Sequence, residues 1–291
     1  MNNFAILLLF MIVALNGCSQ TNDDESNAYS FFVAGHVYGY PGETETNNGV
    51  HPPFKQKLEI IKNNPDIKFG VFTGDIVFDA LKENEWDEVD EDIAFINKKV
   101  YFAPGNHDVG SAKKRDIFTR RYGPTYQSFV YEEDLVIILD PNLKRWNIEG
   151  DQLTWLKEQL NPNKNTVRNI FVFFHQLLWW TPENEFKSYP PNSTSGGEGN
   201  NNFFTEVYPL FRDLGKPTYM FAGDTGVYER GIMYHKDKNV TFIASGMGGR
   251  KQDNFVIANV DPKGLVSFQL VSLNTEDSNE LGKLENYTLN D

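Results

Sequence analysis

Cysteine is almost absent from this sequence, since Cys18 is the only one among 291 residues. A disulfide bond within the chain is therefore impossible. The polar residues 19–25 that follow Cys18 make a thiol buried in an apolar core the weaker alternative for this residue. Histidine is also scarce, with five residues in the chain, so any clustering of histidines is informative about a site.

Positive charge is in short supply as well. The chain has 27 lysines and arginines against 40 aspartates and glutamates, which gives a formal net charge of −13 at pH 7. Binding to nucleic acid needs basic side chains that replace the counterions of the phosphate backbone. We therefore expect no nucleic-acid partner, and we interpret the acidic surplus as an aid to solubility.

No apolar run is long enough to cross a membrane as a helix, which takes about 20 residues. The longest run, from Phe4 to Leu15, has the length of a signal-peptide core, and residues 1–17 carry no charged side chain. The sequence Asn16-Gly17-Cys18 resembles a bacterial lipoprotein processing site, which implies removal of residues 1–17 and a lipid on Cys18. Acidic residues shortly after Cys18 resemble surface-export signals of some bacterial lipoproteins. We expect residues 18–28 to be a disordered tether.

The pattern of apolar segments predicts one layered α/β domain over residues 29–274, followed by a polar C-terminal tail over residues 275–291 that we expect to be loose. Apolar strands alternate with helical spacing up to about residue 224, and four strand-like runs without intervening helices follow. Helical patterns cover residues 54–63, 83–96, 112–121, 150–160 and 203–214. In the second of these, Trp86, Val89 and Ile93 are spaced as one buried stripe, and Ser111 is suited to cap the third.

Polar side chains follow the ends of five predicted strands. They are His36, Asp75, Asn106 together with His107, His175, and Asp224. Each alone is compatible with ordinary turn chemistry, but three of the five histidines occur in this set. Because ligands bind at the carboxyl ends of strands in open α/β sheets, the sequence predicts a metal site at one edge of the sheets.

The order and context of these residues resemble the calcineurin-like metallophosphoesterases over residues 29–273. The sequence Gly105-Asn106-His107-Asp108 matches the GNHD/E motif of that family, Gly74-Asp75 matches its metal-bridging aspartate, and His175 matches its lone histidine after a strand. The resemblance implies a four-layer α/β/β/α sandwich of two mixed sheets. It also implies hydrolysis of phosphate esters, with His107 as the catalytic histidine and Asp108 as the residue that orients it.

Two motifs of that family are incomplete here. The DxH motif reads Ala34-Gly35-His36 without its aspartate, and the GHxH motif reads Gly223-Asp224-Thr225-Gly226 without its histidines. The first metal of the family would keep only His36 and Asp75. The second metal would keep Asp75, Asn106 and His175, and Asp224 can donate an oxygen where the family has a histidine nitrogen. We therefore expect one divalent metal, and three oxygens with one nitrogen favour Mn²⁺, Mg²⁺ or Ca²⁺ over Zn²⁺.

A long loop follows His175 and reaches residue 202. Loops of such length tend to be functional or disordered. Trp179 and Trp180 within it have two alternative interpretations: a wall on which a sugar or an aromatic leaving group stacks, or packing of the loop onto the domain. The tract over residues 193–202, rich in Ser, Gly and Asn, is either a flexible lid or a connector.

Three functions are compatible with these features. The first is an exported phosphoesterase, lipid-anchored to a bacterial membrane, that acts on a phosphorylated small molecule or a glycan. The second is a protein of the same fold that binds a phosphorylated or carbohydrate ligand at the cell surface without turnover, and the third is a structural surface protein. The incomplete motifs favour the second, whereas His107 with Asp108 favours the first, which is our leading hypothesis. We expect a monomer whose only membrane contact is the lipid anchor.

Overall fold

A computed structural model describes residues 27–40, 49–197, 201–228 and 230–289. The predicted signal peptide, Cys18 and nearly all of the predicted tether lie outside these ranges. Within the ranges, no helix combines the length and the apolar character that a membrane span requires.

The strands form two mixed sheets. The first sheet has the order β11-β10-β1-β2-β3, and the second has the order β4-β5-β6-β7-β9-β8. The strands are β1 (Tyr29–Gly35), β2 (Ile67–Thr73), β3 (Lys99–Phe102), β4 (Gln127–Tyr131), β5 (Asp134–Ile138), β6 (Ile170–Phe174), β7 (Thr218–Ala222), β8 (Ile232–Asp237), β9 (Val240–Ser245), β10 (Asn254–Val260) and β11 (Val266–Ser272). The four late strands that the sequence predicts without helices are divided between the sheets, two in each.

The helices lie mainly between the strands of the first 222 residues. They are α1 (Pro52–Lys55), α2 (Leu58–Asn63), α3 (Glu83–Ile96), α4 (Asn106–Val109), α5 (Ala112–Tyr122), α6 (Gly150–Asn163) and α7 (Tyr208–Arg212). Helix α3 has the predicted bounds, and Trp86 and Val89 of its stripe are buried, whereas Ile93 is only partly buried. The side chain of Ser111 accepts a hydrogen bond from the backbone N–H of Lys114, which confirms it as the cap of α5.

Side chains alternate between the two faces of each sheet and so create three apolar layers. In β1, Phe31 packs in the core between the sheets, whereas Phe32 packs under α2, α3 and α5 outside the first sheet. In β6, Phe171 joins the central core, whereas Val172 faces α6 and α7 outside the second sheet. The predicted four-layer α/β/β/α sandwich of two mixed sheets is therefore confirmed.

The pairing of strands brings the carboxyl ends of four of them to one edge of the sandwich. Strand β1 is parallel to β2, with Phe32 opposite Gly70, and β6 is parallel to β7, with Val172 opposite Met220. Both pairs carry a predicted site residue just beyond the carboxyl end of each strand. The edge therefore collects side chains from both sheets.

The predicted helix over residues 203–214 is interrupted. A π-helical turn, Phe203–Val207, precedes α7, and Pro209 lies in the first turn of α7. Proline has no backbone N–H, so it cannot continue the regular hydrogen-bond pattern of an α-helix. The interruption follows from this one residue.

The segment after residue 274 packs against the domain, which differs from the loose tail that we expected. Leu284 is fully buried, and the carbonyl oxygen of Tyr287 accepts a hydrogen bond of 2.7 Å from the N–H of Tyr234 in β8. A short 3₁₀ turn, Leu284–Asn286, presents these residues. Leu284, with the partly buried Leu281 and Tyr287, packs against the core between the sheets and docks a segment that is otherwise polar.

Trp179 and Trp180 pack the long loop onto the outer face of the second sheet. The ring of Trp179 is fully buried and lies 5.2 Å from Phe242 and 5.7 Å from Phe174, centroid to centroid. Trp180 is 8% exposed in the same apolar cluster. Neither indole has a free face, so the alternative of a stacking wall for a ligand is wrong.

Candidate metal centre

Four strand ends deliver polar side chains to one point. His36 and His175 directly follow β1 and β6, and Asp75 and Asp224 stand two residues beyond β2 and β7. The two sheets are joined here, because the Nδ1–H of His175 donates a hydrogen bond of 2.8 Å to the carbonyl oxygen of Thr73. Each of these four residues is at most 3% exposed to solvent.

Glycines allow this close approach. Gly74 has a φ of +83°, and a Cβ on it would lie 2.5 Å from Cγ of His175. A Cβ on Gly105 would lie 2.1 Å from Oδ1 of Asp75. Only a hydrogen atom fits at both positions, which explains the glycine in Gly74-Asp75 and the one that opens the motif with Asn106.

Three of the converging side chains form a candidate metal site. Ligand atoms of Asp75, His175 and Asp224 all lie within 4.8 Å of one another. Nε2 of His175 is 3.3 Å from Oδ1 of Asp75 and 3.8 Å from Oδ1 of Asp224, without the alignment of a hydrogen bond. Oδ2 of Asp224 also has no hydrogen-bond partner among the described residues.

The donor chemistry of this triad fits a divalent cation. Because Nδ1 of His175 carries the proton given to Thr73, the ring in its neutral form would point its Nε2 lone pair into the space beside two carboxylates. Buried polar atoms without partners cost free energy unless a ligand satisfies them. A cation between the three side chains would satisfy all of them at once.

The charges of the triad are strongly coupled in the metal-free protein. Burial alone would lower the pKa of His175, but the Asp75 and Asp224 carboxylates outweigh it and raise that pKa to about 10. Burial would raise the pKa of Asp75, but the neighbouring His175 holds it below its usual range. Burial raises the pKa of Asp224 to about 7. A proton on His175 therefore occupies the place of a cation.

His36 lies on the other side of Asp75 and outside the triad. Its Nε2 is 3.6 Å from Oδ2 of Asp75, and its Nδ1–H donates a hydrogen bond of 2.8 Å to the carbonyl oxygen of Met247. Burial lowers the pKa of His36 to about 4. Both His36 and Asp75 have positive φ, 51° and 49°, a strained conformation that clusters at functional sites.

His107 and Asp108 do not form the pair that the sequence suggests. The ring of His107 donates from Nδ1 to the carbonyl oxygen of Phe78 at 2.7 Å, and its backbone N–H donates to Oδ1 of Asp75 at 3.1 Å. The orienting partner of His107 is therefore Phe78, and the expectation that Asp108 plays this part is corrected.

Asp108 instead joins the two loops that carry the site. Its carboxylate accepts hydrogen bonds from the backbone N–H groups of Gly105 at 2.7 Å, Ile76 at 2.9 Å and Val77 at 3.3 Å. Burial and the Asp75 charge raise the pKa of Asp108 to about 7, against the backbone donors that lower it. The presence of Asp108 in the motif is therefore explained by these hydrogen bonds, which hold the two loops together.

The sequence model of the family described as calcineurin-like phosphoesterase matches residues 36–246. The chain belongs to the calcineurin-like phosphoesterase family. The match contains the whole triad and His107. No curated protein sequence matches the chain significantly.

One solved structure among the matches shares the fold of this chain. Purple acid phosphatase PPD1 from yellow lupin (Lupinus luteus) seeds has a TM-score of 0.65 at 13% identity, over 87% of this chain and 52% of the lupin chain. This chain therefore spans about half the length of the lupin protein. TT1561 of Thermus thermophilus has a TM-score of 0.44 at 9% identity, over 83% of this chain and 98% of its own. Vps29 of Chaetomium thermophilum has a TM-score of 0.34 at 10% identity, over 84% and 95%.

Two of the calcineurin-like ligands that are missing from the sequence are replaced by small residues in closely packed surroundings. Ala34 packs in the apolar cluster outside the first sheet, together with Met247. Gly226 has a φ of +106°, and a Cβ on it would lie 2.8 Å from the backbone nitrogen of Met247. A histidine at position 226 would therefore need the backbone at Gly226 or at Met247 to shift.

Asn106 is placed beside the triad by its neighbours. It is the first residue of α4, and β3 ends before it at Phe102. Gly105 before it touches Asp75, and His107 after it donates its N–H to Asp75. The backbone of Asn106, at the start of α4, therefore lies beside Asp75.

Tyr38 is a site residue that the sequence did not reveal. Its ring lies 4.5 Å from that of His36 and 5.0 Å from that of His107, and its hydroxyl is 3.5 Å from Nε2 of His107. Burial, followed by the charge of Asp75, raises the pKa of Tyr38 well above its usual range, so the hydroxyl stays protonated. Its position two residues after His36 was the only signal available.

Proposed function

We propose that this protein hydrolyses phosphate esters with one divalent cation held by Asp75, His175 and Asp224, and with Asn106 as a further oxygen ligand. The observation that carries the proposal is the buried triad, in which Nε2 of His175 and Oδ2 of Asp224 have no hydrogen-bond partner in the described parts of the chain. Three oxygens and one nitrogen favour Mn²⁺, Mg²⁺ or Ca²⁺ over Zn²⁺.

The chemistry divides between the cation and His107. When bound, a divalent cation supplies Lewis acidity that draws electron density from a phosphoryl oxygen. The carbonyl oxygen of Phe78 keeps a proton on Nδ1 of His107, so the proton that the imidazolium can transfer is on Nε2. His107 would give that proton to the leaving oxygen of the ester, with the hydroxyl of Tyr38 beside it.

A second candidate function is ligand binding without turnover. The observation that favours it is the closed first metal site of the family, where Ala34 lies in an apolar cluster and Gly226 lies against the backbone of Met247. A second cation that would stabilise the attacking oxygen has no full ligand set there. In this case the centre would hold a phosphorylated or carbohydrate ligand.

Metal analysis followed by an aryl-phosphate assay separates the two functions. The purified protein is stripped of metal and then reloaded with Mn²⁺, Mg²⁺, Ca²⁺ or Zn²⁺. We expect about one cation per chain and hydrolysis that depends on it. One bound cation without hydrolysis of any ester would support the binder, and two tightly bound cations would contradict the one-metal site.

We further propose that the enzyme acts outside the cytoplasm, as a monomer held at a bacterial membrane by lipid on Cys18, on a phosphorylated small molecule or glycan. The support is the sequence of residues 1–28, which lies almost wholly outside the described residues. Cys18→Ser should move the protein from the membrane fraction to the soluble fraction. A wild-type protein that is already soluble after export would rule out the anchor.

A further inference from the structure

His51 and Asp253 form a buried pair that belongs to none of the predicted ligand positions. Nε2 of His51 lies 3.1 Å from Oδ2 of Asp253, and both side chains are fully buried. Residues 202 positions apart in the chain meet here. Removing one partner of such a buried pair would leave the other without its hydrogen bond, which is costly.

Asp253 shapes the glycine-rich turn after β9. Its carboxylate accepts hydrogen bonds from the backbone N–H groups of Gly248 at 3.0 Å, Gly249 at 2.8 Å and Arg250 at 3.0 Å. The residue before these three is Met247, whose carbonyl oxygen accepts the hydrogen bond from Nδ1 of His36. The carboxylate thus fixes the turn that orients His36.

His51 holds the chain on the other side of His36. Its backbone N–H donates a hydrogen bond of 2.8 Å to the carbonyl oxygen of Val37, the residue after His36. Its ring also lies against Gly39, where a Cβ would come within 2.1 Å of Nδ1 of His51. The loop that leaves His36 therefore rests on His51.

We propose that His51 and Asp253 are positioning residues of the metal centre, which clamp the two backbone segments around His36 and so direct its Nε2 at Asp75. The proposal deepens the proposed function, because it concerns the same centre. If the turn moved, His36 would lose the carbonyl oxygen that keeps its proton on Nδ1, and the Nε2–H tautomer would then donate to Oδ2 of Asp75 and draw negative charge from a carboxylate that holds the cation. Partners of this outer kind typically change metal affinity by about 10–100-fold.

The variants Asp253→Asn and His51→Gln test the clamp. In Asp253→Asn the amide nitrogen of the new side chain would face a backbone N–H, so the turn cannot keep all of its hydrogen bonds. The control is Asp134→Asn. Asp134 is another fully buried aspartate that accepts a backbone N–H, that of Asn169, but its partners Tyr29 and Arg168 lie away from the centre.

The first measurement is the tautomer of His36 in metal-free protein, by long-range ¹H–¹⁵N NMR of histidine-labelled samples. Five histidines make the spectrum simple to assign. We expect a single Nδ1–H tautomer for His36 in the wild type and in Asp134→Asn. Asp253→Asn and His51→Gln should show a mixture of tautomers. A single unchanged tautomer in both clamp variants would overturn the proposal, and the His51 variant serves if the Asp253 variant does not fold.

The second measurement is a double-mutant cycle on Mn²⁺ affinity. We expect Asp253→Asn to weaken Mn²⁺ binding by about 10-fold in the wild-type background and to have no further effect when His36→Ala is already present. Equal weakening in both backgrounds would show that Asp253 supports the fold in general, and no weakening in the wild-type background would show no link to the centre. Either result would overturn the proposal.

Neither measurement depends on hydrolysis. A protein that binds Mn²⁺ with the expected coupling but splits no phosphate ester would refute the proposed reaction and leave the clamp in place. A protein that hydrolyses esters while its His36 tautomer is indifferent to Asp253 would refute the clamp alone.

Discussion

His107 contacts the centre through its backbone and leaves its ring available for chemistry. Its N–H donates to Oδ1 of Asp75, while its ring is held by Phe78. We expect His107→Ala to lower turnover of an aryl phosphate by about 10²–10⁴-fold with metal content near that of the wild type, because only general acid catalysis is removed. Steady-state kinetics and elemental analysis measure the two effects.

The ligands of the triad should behave differently from His107. In Asp75→Ala and His175→Ala, we expect metal and activity to be lost together, since each residue supplies a ligand atom to a buried cluster of three. Full activity in His107→Ala would remove the proposed proton transfer, and any hydrolysis would then need another acid.

Gly226 is one position at which the first metal site of the family has no space for a ligand side chain. We expect Gly226→Ala to cost about 3 kcal/mol of unfolding free energy, from the strain of a positive φ and the contact with Met247. Gly215→Ala is the matched control, because Gly215 has a φ of +66° with open space around a Cβ, and it should cost about 1 kcal/mol. Urea denaturation compares them, and equal losses would argue against the contact.

The long loop after β6 packs onto the domain through Trp179, which gives that residue a structural role. Trp179 contacts Phe174 and Phe242 on the outer face of the second sheet, away from the edge of the sandwich that carries the metal centre. We expect Trp179→Ala to cost about 3–5 kcal/mol of unfolding free energy, because a large buried ring is replaced by a cavity. Thermal or urea denaturation measures the loss.

The same variant tests whether the loop selects substrates. At a temperature where Trp179→Ala remains folded, we expect the ratio of kcat/KM values for an aryl and an alkyl phosphate to equal that of the wild type. A selective loss of kcat/KM for the aryl phosphate would instead support the interpretation of Trp179 as part of a stacking wall for the substrate. Phe204→Ala, which removes a 37% exposed ring of the same region, serves as a control with a small effect on stability.

At the scale of the whole molecule, the metal centre links stability to pH. The pKa of His175 is about 10 in the folded protein against 6.5 for the free group, so its stabilising contribution is complete below about pH 6.5 and is lost as the pH rises through 10. The pKa of Asp224 is about 7 against 3.8, so its contribution is present at acid pH and is lost as the pH rises through 7. Both groups therefore make the metal-free protein less stable as the pH rises.

A bound cation should reverse this trend, because it favours ionised Asp224 and neutral His175. We expect the Tm of metal-free protein to fall between about pH 5 and about pH 9, and the gain in Tm on adding Mn²⁺ to grow over the same range. Differential scanning fluorimetry with and without Mn²⁺ measures both. A gain that shrinks as the pH rises would mean that the cation binds elsewhere, and His175→Ala should abolish the gain.

The local elements and the family could be predicted from the sequence. The helical pattern over residues 83–96 was sufficient for the bounds of α3, because a helix is set by residues close in the chain. The glycines before Asp75 and Asn106 marked where strands stop, and the same positions are the corners of the centre in three dimensions. Local pattern was enough here because the backbone at each of these positions requires a glycine.

The tertiary structure alone decided which side chains meet and what each one does there. The sequence suggests Asp108 as the partner of its neighbour His107, but the carboxylate of Asp108 accepts a hydrogen bond from the backbone N–H of Ile76, on another loop. Tyr38 approaches His107 from 69 residues away, and His51 meets Asp253 from 202. Such contacts depend on strand order and register, which arise from burying both faces of two sheets at once, and no local pattern encodes that balance.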